Sequence, residues 1–331
     1  MASADQLKAL LQSHLEGDDQ RFFSIAMQLA AHEARLGHGK LAEELRAMID
    51  AAKRHRAEGK IVPIGRPRGE LGNLLAVSFP KNRLNEMVLD ENLEGQIARV
   101  IKEQRFASRI LEHGLSPRRK LLLMGPPGTG KTLTASVLAS ELGLPLFQVR
   151  LDGLLTRYMG ETAAKLRQIF DATDQTRGVY LFDEFDAIGS HRGSTNDVGE
   201  IRRVLNSFLQ MIEQDRSHSL VLAATNHAQI LDPALFRRFD DVLHYVLPTE
   251  AQIAALLKAR LGRSAAKGVS WKRLATLAAG LSHAEICRAS DEVVKDALVS
   301  GHDLVDESDV RLMLEERQRI ARKLGRKSEP V

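Results

Sequence analysis

One cysteine in 331 residues, Cys287, rules out a disulfide framework and makes a reducing compartment the expected setting. Aromatic residues are only 5% of the chain, and few stand near its basic clusters at 53–56, at Arg66 and Arg68, and from Arg317 to Lys327. Without interleaved aromatics these clusters read as a solvated linker and a frayed helical tail, not as a base-stacking surface. The charge balance agrees: 47 Lys and Arg against 43 Asp and Glu leave a formal +4, too slight to imply a nucleic-acid partner. No apolar run approaches the ~18 residues that span a bilayer. The opening residues Met1 to Asp5 lack the basic and apolar regions of a secretory signal. A cytoplasmic protein with no membrane partner is therefore expected. Internal repeats and low-complexity segments are absent too.

What remains is an ordinary globular composition, 44% hydrophobic and 27% charged, with room for two or three domains. Residues 1–55 predict a small helical bundle. Leu7, Leu10, Leu11 and Leu15 mark one amphipathic helix, Phe22, Phe23, Ile25, Ala26 and Leu29 a second, and Leu41, Leu45, Met48 and Ile49 a third. Gly37-His38-Gly39 separates the last two. This module reads as a substrate or adaptor unit, or else as a packing element. Residues 56–80, dotted with Gly and Pro, read as a linker. From 81 to 248 apolar strands alternate with helices; the strand candidates are Lys120–Met124, Leu146–Arg150, Val179–Asp183, Leu220–Thr225 and Asp241–Val246. Such alternation predicts an α/β core with a parallel sheet covered on both faces. Residues 249–331 predict about four helices punctuated by Gly262, Gly268, Gly280 and Gly301, then a basic tail.

Within the core, Gly125-Pro126-Pro127-Gly128-Thr129-Gly130-Lys131-Thr132 fits G-x-x-x-x-G-K-[ST]. A buried strand, Leu121–Met124, leads into it, and a helix, Thr132–Leu142, carries on through Leu133. That order suits a loop whose backbone N–H groups curl around phosphate oxygens at a helix N-terminus. Lys131 is then expected at the β- and γ-phosphates of ATP and Thr132 at a Mg²⁺ ion. Val179–Phe182 ends in Asp183-Glu184. At the carboxyl edge of a sheet, Asp183 can hold Mg²⁺ through water, and Glu184 can polarise an attacking water. Leu220–Ala224 runs into Thr225-Asn226, where Asn226 can orient that water or sense the γ-phosphate. Arg237-Arg238 follows before the last strand. An arginine lent to a neighbour's site accelerates hydrolysis by roughly 10³–10⁵.

In this order and spacing, the phosphate loop, Asp183-Glu184, Thr225-Asn226 and Arg237-Arg238 resemble the AAA family of ATPases, over about residues 80–315. The resemblance implies a P-loop NTPase core of the AAA+ type, with a C-terminal helical lid and an N-terminal helical bundle. Ala234-Leu235-Phe236-Arg237-Arg238-Phe239 resembles the compact form of the microtubule-severing and ESCRT-disassembling branch, which implies that Arg237 and Arg238 act in trans. Arg157-Tyr158-Met159-Gly160-Glu161-Thr162 resembles the first pore loop, in which Tyr158 and Met159 would grip an extended polypeptide; His191–Asp197 resembles a second. Gly280–Ile286 resembles the lid helix of the same clade, which implies Ala284 near the nucleotide and the adenine between this lid and Met87-Val88-Leu89. Arg288, one turn beyond Ala284, is read as solvent-facing.

The expected protein is thus an ATP- and Mg²⁺-dependent ATPase assembled as a homo-hexamer, unfolding or disassembling a protein substrate. Compact bacterial members with this Phe-Arg-Arg-Phe-Asp pattern resemble those paired with a subtilisin-like serine protease in anti-phage defence, which would add such a protease as partner. The rival expectation is an AAA+ ATPase acting on DNA, of the helicase-loader or transposition-helper type, supported by a pI near 9.2.

Overall fold

The structure is a computed structural model, and it describes residues 19–35, 37–39, 42–47, 49, 70–154, 159–185, 197–227, 236–302 and 304–325. The chain divides into two compact units, Met1–Pro63 and Ile64–Val331.

In the first unit, helix α1 spans Asp19–Arg35 and ends just before the Gly37-His38-Gly39 break, as expected. Residues 42–47 and 49 are helical again, and Ala30, Ala42 and Ile49 are buried. The helix expected at Leu7–Leu15 lies outside the described residues.

The second unit opens with a short helix, α2 (Glu70–Leu74), that runs directly into strand β1 (Leu75–Ser78). Both lie inside the stretch read as linker. β1 pairs antiparallel with β3 (Leu146–Val149), Leu75 opposite Val149. The remaining strands are β2 (Lys120–Met124), β4 (Val179–Phe182), β5 (Leu220–Thr225) and β6 (Asp241–His244). They lie in the order β1-β3-β4-β5-β2-β6, and every pairing except β1 with β3 is parallel. The all-parallel expectation is corrected by that one edge strand. β1 enters from a nearby helix instead of a crossover, so no topological rule obliges it to run parallel.

Side chains alternate across the sheet as the two-residue pleat requires. Leu121 and Leu123 of β2 face α3 (Glu91–Arg105) and α5 (Lys131–Leu142), packing with Ile97, Val100 and Leu138. Leu122 and Met124 face the other way, toward α7 (Met159–Gln175) and α8 (Asp197–Gln214), packing with Ile169, Phe170 and Phe208. Two short helices complete the core, α4 (Ala107–Glu112) and α6 (Leu151–Leu154).

The lid has four helices: α9 (Glu250–Leu261), α10 (Trp271–Leu277), α11 (His283–Val299) and α12 (Glu307–Gly325). They enclose their own core around Leu257, Leu274, Ile286, Val293 and Leu314. Capping boxes start α9 and α11: Thr249 accepts from the Gln252 N–H and Ser282 from the Glu285 N–H. The Ser282 cap fixes the first turn of α11, which is the part of the lid that meets the core.

Candidate active site at the carboxyl edge of the sheet

Three neighbouring parallel strands, β4, β5 and β2, release their chains at one edge of the sheet. In open α/β sheets this edge is where ligands bind. β2 delivers the phosphate loop, β4 delivers Asp183-Glu184, and β5, between them, delivers Asn226. The pairing fixes their relative heights, with Met124 opposite Thr225 and Phe182 opposite Ala223.

The loop crosses to α5 through backbone that glycine adopts readily. Gly128 and Gly130 have φ of 74° and 104°. At Gly125 the reason is contact as well, since a Cβ there would collide with the Tyr245 carbonyl. Lys131 is the first residue of α5 and is buried. Its ammonium folds back over the loop and donates to the carbonyls of Gly125 and Pro126, at 2.7 and 2.8 Å. Thr129 braces the same turn by donating its hydroxyl to the Pro126 carbonyl, 2.8 Å. Leu133 points to solvent, 40% exposed.

Opposite the loop, the Thr132 hydroxyl donates to Oδ2 of Asp183 across 2.7 Å. This donor set fits Mg²⁺, a hard ion that takes one hydroxyl and one or two carboxylates and completes its shell with phosphate oxygens and water. Among the described residues no cluster of three His, Cys, Asp or Glu could hold an ion by itself.

Glu184 has φ 50°, the one non-glycine residue with positive φ among those described. Its neighbours account for the twist. Oδ1 of Asp183 accepts the Glu184 N–H at 3.0 Å, and the Phe185 N–H donates to the Ala224 carbonyl at 2.8 Å. Phe185 is fully buried. With the residue before it held toward Thr132 and the residue after it sunk in the core, Glu184 is turned outward and exposed. Backbone strain of this kind gathers at functional positions.

The lid touches the loop directly. The Ala284 N–H donates to the Gly128 carbonyl at 2.9 Å. Nε2 of His283 makes a 3.0 Å hydrogen bond with the Val88 carbonyl, joining the lid to the segment expected to hold the base. Arg288 is exposed, as read from the sequence.

Two residues to which the sequence reading gave no role complete this edge. Tyr245, buried, donates its hydroxyl to Thr134 at 2.6 Å, leaving Thr134 to donate to the Gly130 carbonyl at 3.2 Å. Burial pushes the Tyr245 phenol well above its ordinary range, so it stays protonated, against a smaller opposing pull from Thr134. His283 is the second, and burial lowers its pKa.

The arginine pair stands elsewhere. The Asp240 N–H donates to the Lys120 carbonyl at 2.8 Å, and its Oδ2 accepts from the N–H groups of Arg119 and Lys120, both at 2.9 Å. Arg237 and Arg238 therefore sit at the beginning of β2, whereas the phosphate loop sits at its end. Five residues of strand separate the two by roughly 15 Å. Tyr158, and 191–196 of the second pore-loop stretch, lie outside the described residues. Met159 opens α7, so Gly160-Glu161-Thr162, read from sequence as exposed loop, forms its first turn, and Thr162 is 2% exposed. A helix starting there satisfies the backbone that a loop would leave to solvent.

Comparison with known proteins agrees with this geometry. Residues 121–246 match the family described as "ATPase family associated with various cellular activities (AAA)". The chain is 34% identical over 324 residues to "Uncharacterized AAA family ATPase y4kL" of Sinorhizobium fredii, covering 96% of each chain. It is 34% identical over 251 residues to "ATP-dependent zinc metalloprotease FtsH 3" of Sphaerobacter thermophilus, covering 73% of this chain and 51% of that one. To "Protein SAV" of Sulfolobus acidocaldarius it is 31% identical over 237 residues, 70% of this chain and 30% of the other. The chain thus spans about half or less of the length of the FtsH and SAV relatives. With full-length likeness to one member, and with phosphate loop, paired acids and lid brought to one edge, the chain belongs to the AAA family of ATPases.

Proposed function

We propose that this ATPase works as a ring, each subunit completing its neighbour's site, and that it uses hydrolysis to remodel a protein substrate. The observation that carries the ring is the separation of Arg237-Arg238 from their own phosphate loop by the full length of β2. No side chain bridges that distance, so this arginine turn serves a nucleotide bound on the next subunit.

Within one site, the loop N–H groups and Lys131 hold the phosphates, and Val88 and Ala284 flank the base and ribose. Thr132 and Asp183 would hold Mg²⁺, which would supply positive charge to offset that of the phosphates. The Glu184 carboxylate accepts a proton from the attacking water, and Asn226, beside it, orients that water. The neighbour's arginine stabilises the charge that builds as the γ-phosphoryl leaves.

The protein substrate is argued from likeness: relatives 30–34% identical to this chain over aligned stretches of 245–257 residues are named ATP-dependent zinc metalloproteases. We propose a subtilisin-like serine protease as the partner that would cleave the remodelled substrate. Tyr158 and Met159 are proposed as the gripping residues of the pore.

The test is a Glu184→Gln trap. Affinity capture of this variant with ATP should retain protein substrates that ATP-free or Lys131→Ala protein releases, and Tyr158→Ala should hydrolyse ATP without remodelling the captured protein. Hydrolysis stimulated by DNA with a steep salt dependence, and no captured protein, would replace this reading with the DNA-acting one.

A further inference from the structure

We infer that the two adjacent arginines divide the work: Arg237 is the residue presented to the neighbouring nucleotide, and Arg238 is an anchor held by Glu213. This rests on the trans reading proposed above and deepens it.

The two side chains differ in their surroundings. Arg238 forms an ion pair with Glu213, near the end of α8, and its side chain is 32% exposed. Arg237 is exposed, and its guanidinium has no ion-pair or hydrogen-bond partner among the described residues. The turn that carries them is built to be stiff. Phe239 is 8% exposed and packs in the core beneath α7 and α8, and Phe236 packs against the same cluster. Asp240 binds two backbone N–H groups at the start of β2. One strand away, Arg119 reaches Asp215, just past the end of α8, so α8, β2 and the arginine turn are tied together at this edge.

Chemistry separates the roles. A guanidinium that stabilises developing negative charge must arrive free of a competing carboxylate. Arg238 already has one, supplied by its own chain. An exposed ion pair adds little to stability, so what Glu213 contributes is direction: drawn toward α8, Arg238 leaves its neighbour in sequence facing outward. Glu213 is then a positioning residue, acting on the reaction through the turn.

The experiment uses full-length protein in ATPase assays, each variant alone and mixed with Lys131→Ala subunits, which lend arginines but bind no nucleotide. Arg237→Ala should lower kcat by about 10³-fold or more, the range of an arginine finger, and recover on mixing. Arg238→Ala and Glu213→Gln should each lower kcat far less, with KM for ATP unchanged, because both lie at the edge away from their own phosphate loop. The reciprocal exchange Glu213→Arg with Arg238→Glu restores the pair in reverse and should recover much of the kcat lost in the single variants. A dead exchange variant, or Arg238→Ala as inactive as Arg237→Ala, would overturn the division of labour while leaving the trans reading intact. Failure of every arginine variant to recover on mixing would instead remove the trans reading itself. Thermal melting of each variant, unchanged from the parent, separates these outcomes from misfolding; Arg238→Lys serves if Arg238→Ala melts early.

Discussion

The Thr132 hydroxyl donates to Asp183 across 2.7 Å and so joins the first turn of α5 to the end of β4. That bond places two hard oxygens where a divalent ion beside the phosphate loop needs them. Asp183→Asn keeps the shape and removes the charge. It should lower hydrolysis by about 10²-fold or more at limiting Mg²⁺, as loss of metal-borne charge stabilisation does, and shift the Mg²⁺ dependence to higher concentration. Thr132→Ser should keep activity and Thr132→Ala lose it. An unchanged Mg²⁺ titration in Asp183→Asn would remove Asp183 from the metal site.

Glu184 combines chemical and conformational roles that pull apart on substitution. Its left-handed backbone costs a non-glycine residue roughly 1–2 kcal/mol. Glu184→Ala keeps that strain and Glu184→Gly relieves it, so the glycine variant should be more stable than the alanine variant by about 1 kcal/mol. Both should be inactive, since each lacks the carboxylate. Chemical denaturation of the two side by side decides the point: a glycine variant less stable than the alanine variant would mean that the backbone is not strained.

The placement of Gly125–Thr132, Asp183-Glu184 and Asn226 just beyond the ends of β2, β4 and β5 was readable from sequence because each is a contiguous segment following an apolar run, and strand ends are set by local pattern. β2 and β5 match their expected bounds. β3, β4 and β6 stop one or two residues short of theirs, at Val149, Phe182 and His244. β1 was missed because Leu75–Ser78 is a four-residue edge strand in a Gly- and Pro-rich stretch, and only its antiparallel neighbour gives it an identity. The supporting residues were invisible for a related reason. Tyr245 meets Thr134 across 111 residues of sequence, which no local spacing encodes. His283 meets Val88 across 195; the resemblance placed the lid near Met87-Val88-Leu89, but not this hydrogen bond.

Tyr245 tests that support. Its hydroxyl donates to Thr134, and Thr134 donates onward to Gly130 in the phosphate loop. Tyr245→Phe strips the donor and leaves a buried Thr134 oxygen short of a partner, which costs about 1–3 kcal/mol of stability. KM for ATP should rise while kcat at saturation stays close to the parent's, because the loop is less well held but the carboxylates are untouched. A fall in kcat alone would place Tyr245 in the chemistry instead.

His283 gives the lid a dependence on pH. Burial lowers its pKa below the ordinary 6.5, with the Val88 carbonyl opposing in part. Its Nδ1 is buried without a hydrogen-bond partner among the described residues. Protonation would therefore place an unpaired N–H, and a charge, between lid and core. The folded protein resists a proton that the unfolded chain accepts near 6.5. Stability is then fully present above that value and falls as the pH drops from 6.5 toward the lower folded-state pKa. The informative quantity is the difference between the parent and His283→Gln, which keeps a donor for Val88 but carries no ionisable group. Melting temperature should fall less steeply in the variant between pH 7.5 and about 5.5, and the protection of the Ala284 N–H, which binds Gly128, measured against the intrinsic exchange rate at each pH, should fall with acid in the parent alone. Equal slopes in the two proteins would mean that the lid closes on the phosphate loop without regard to the charge on His283.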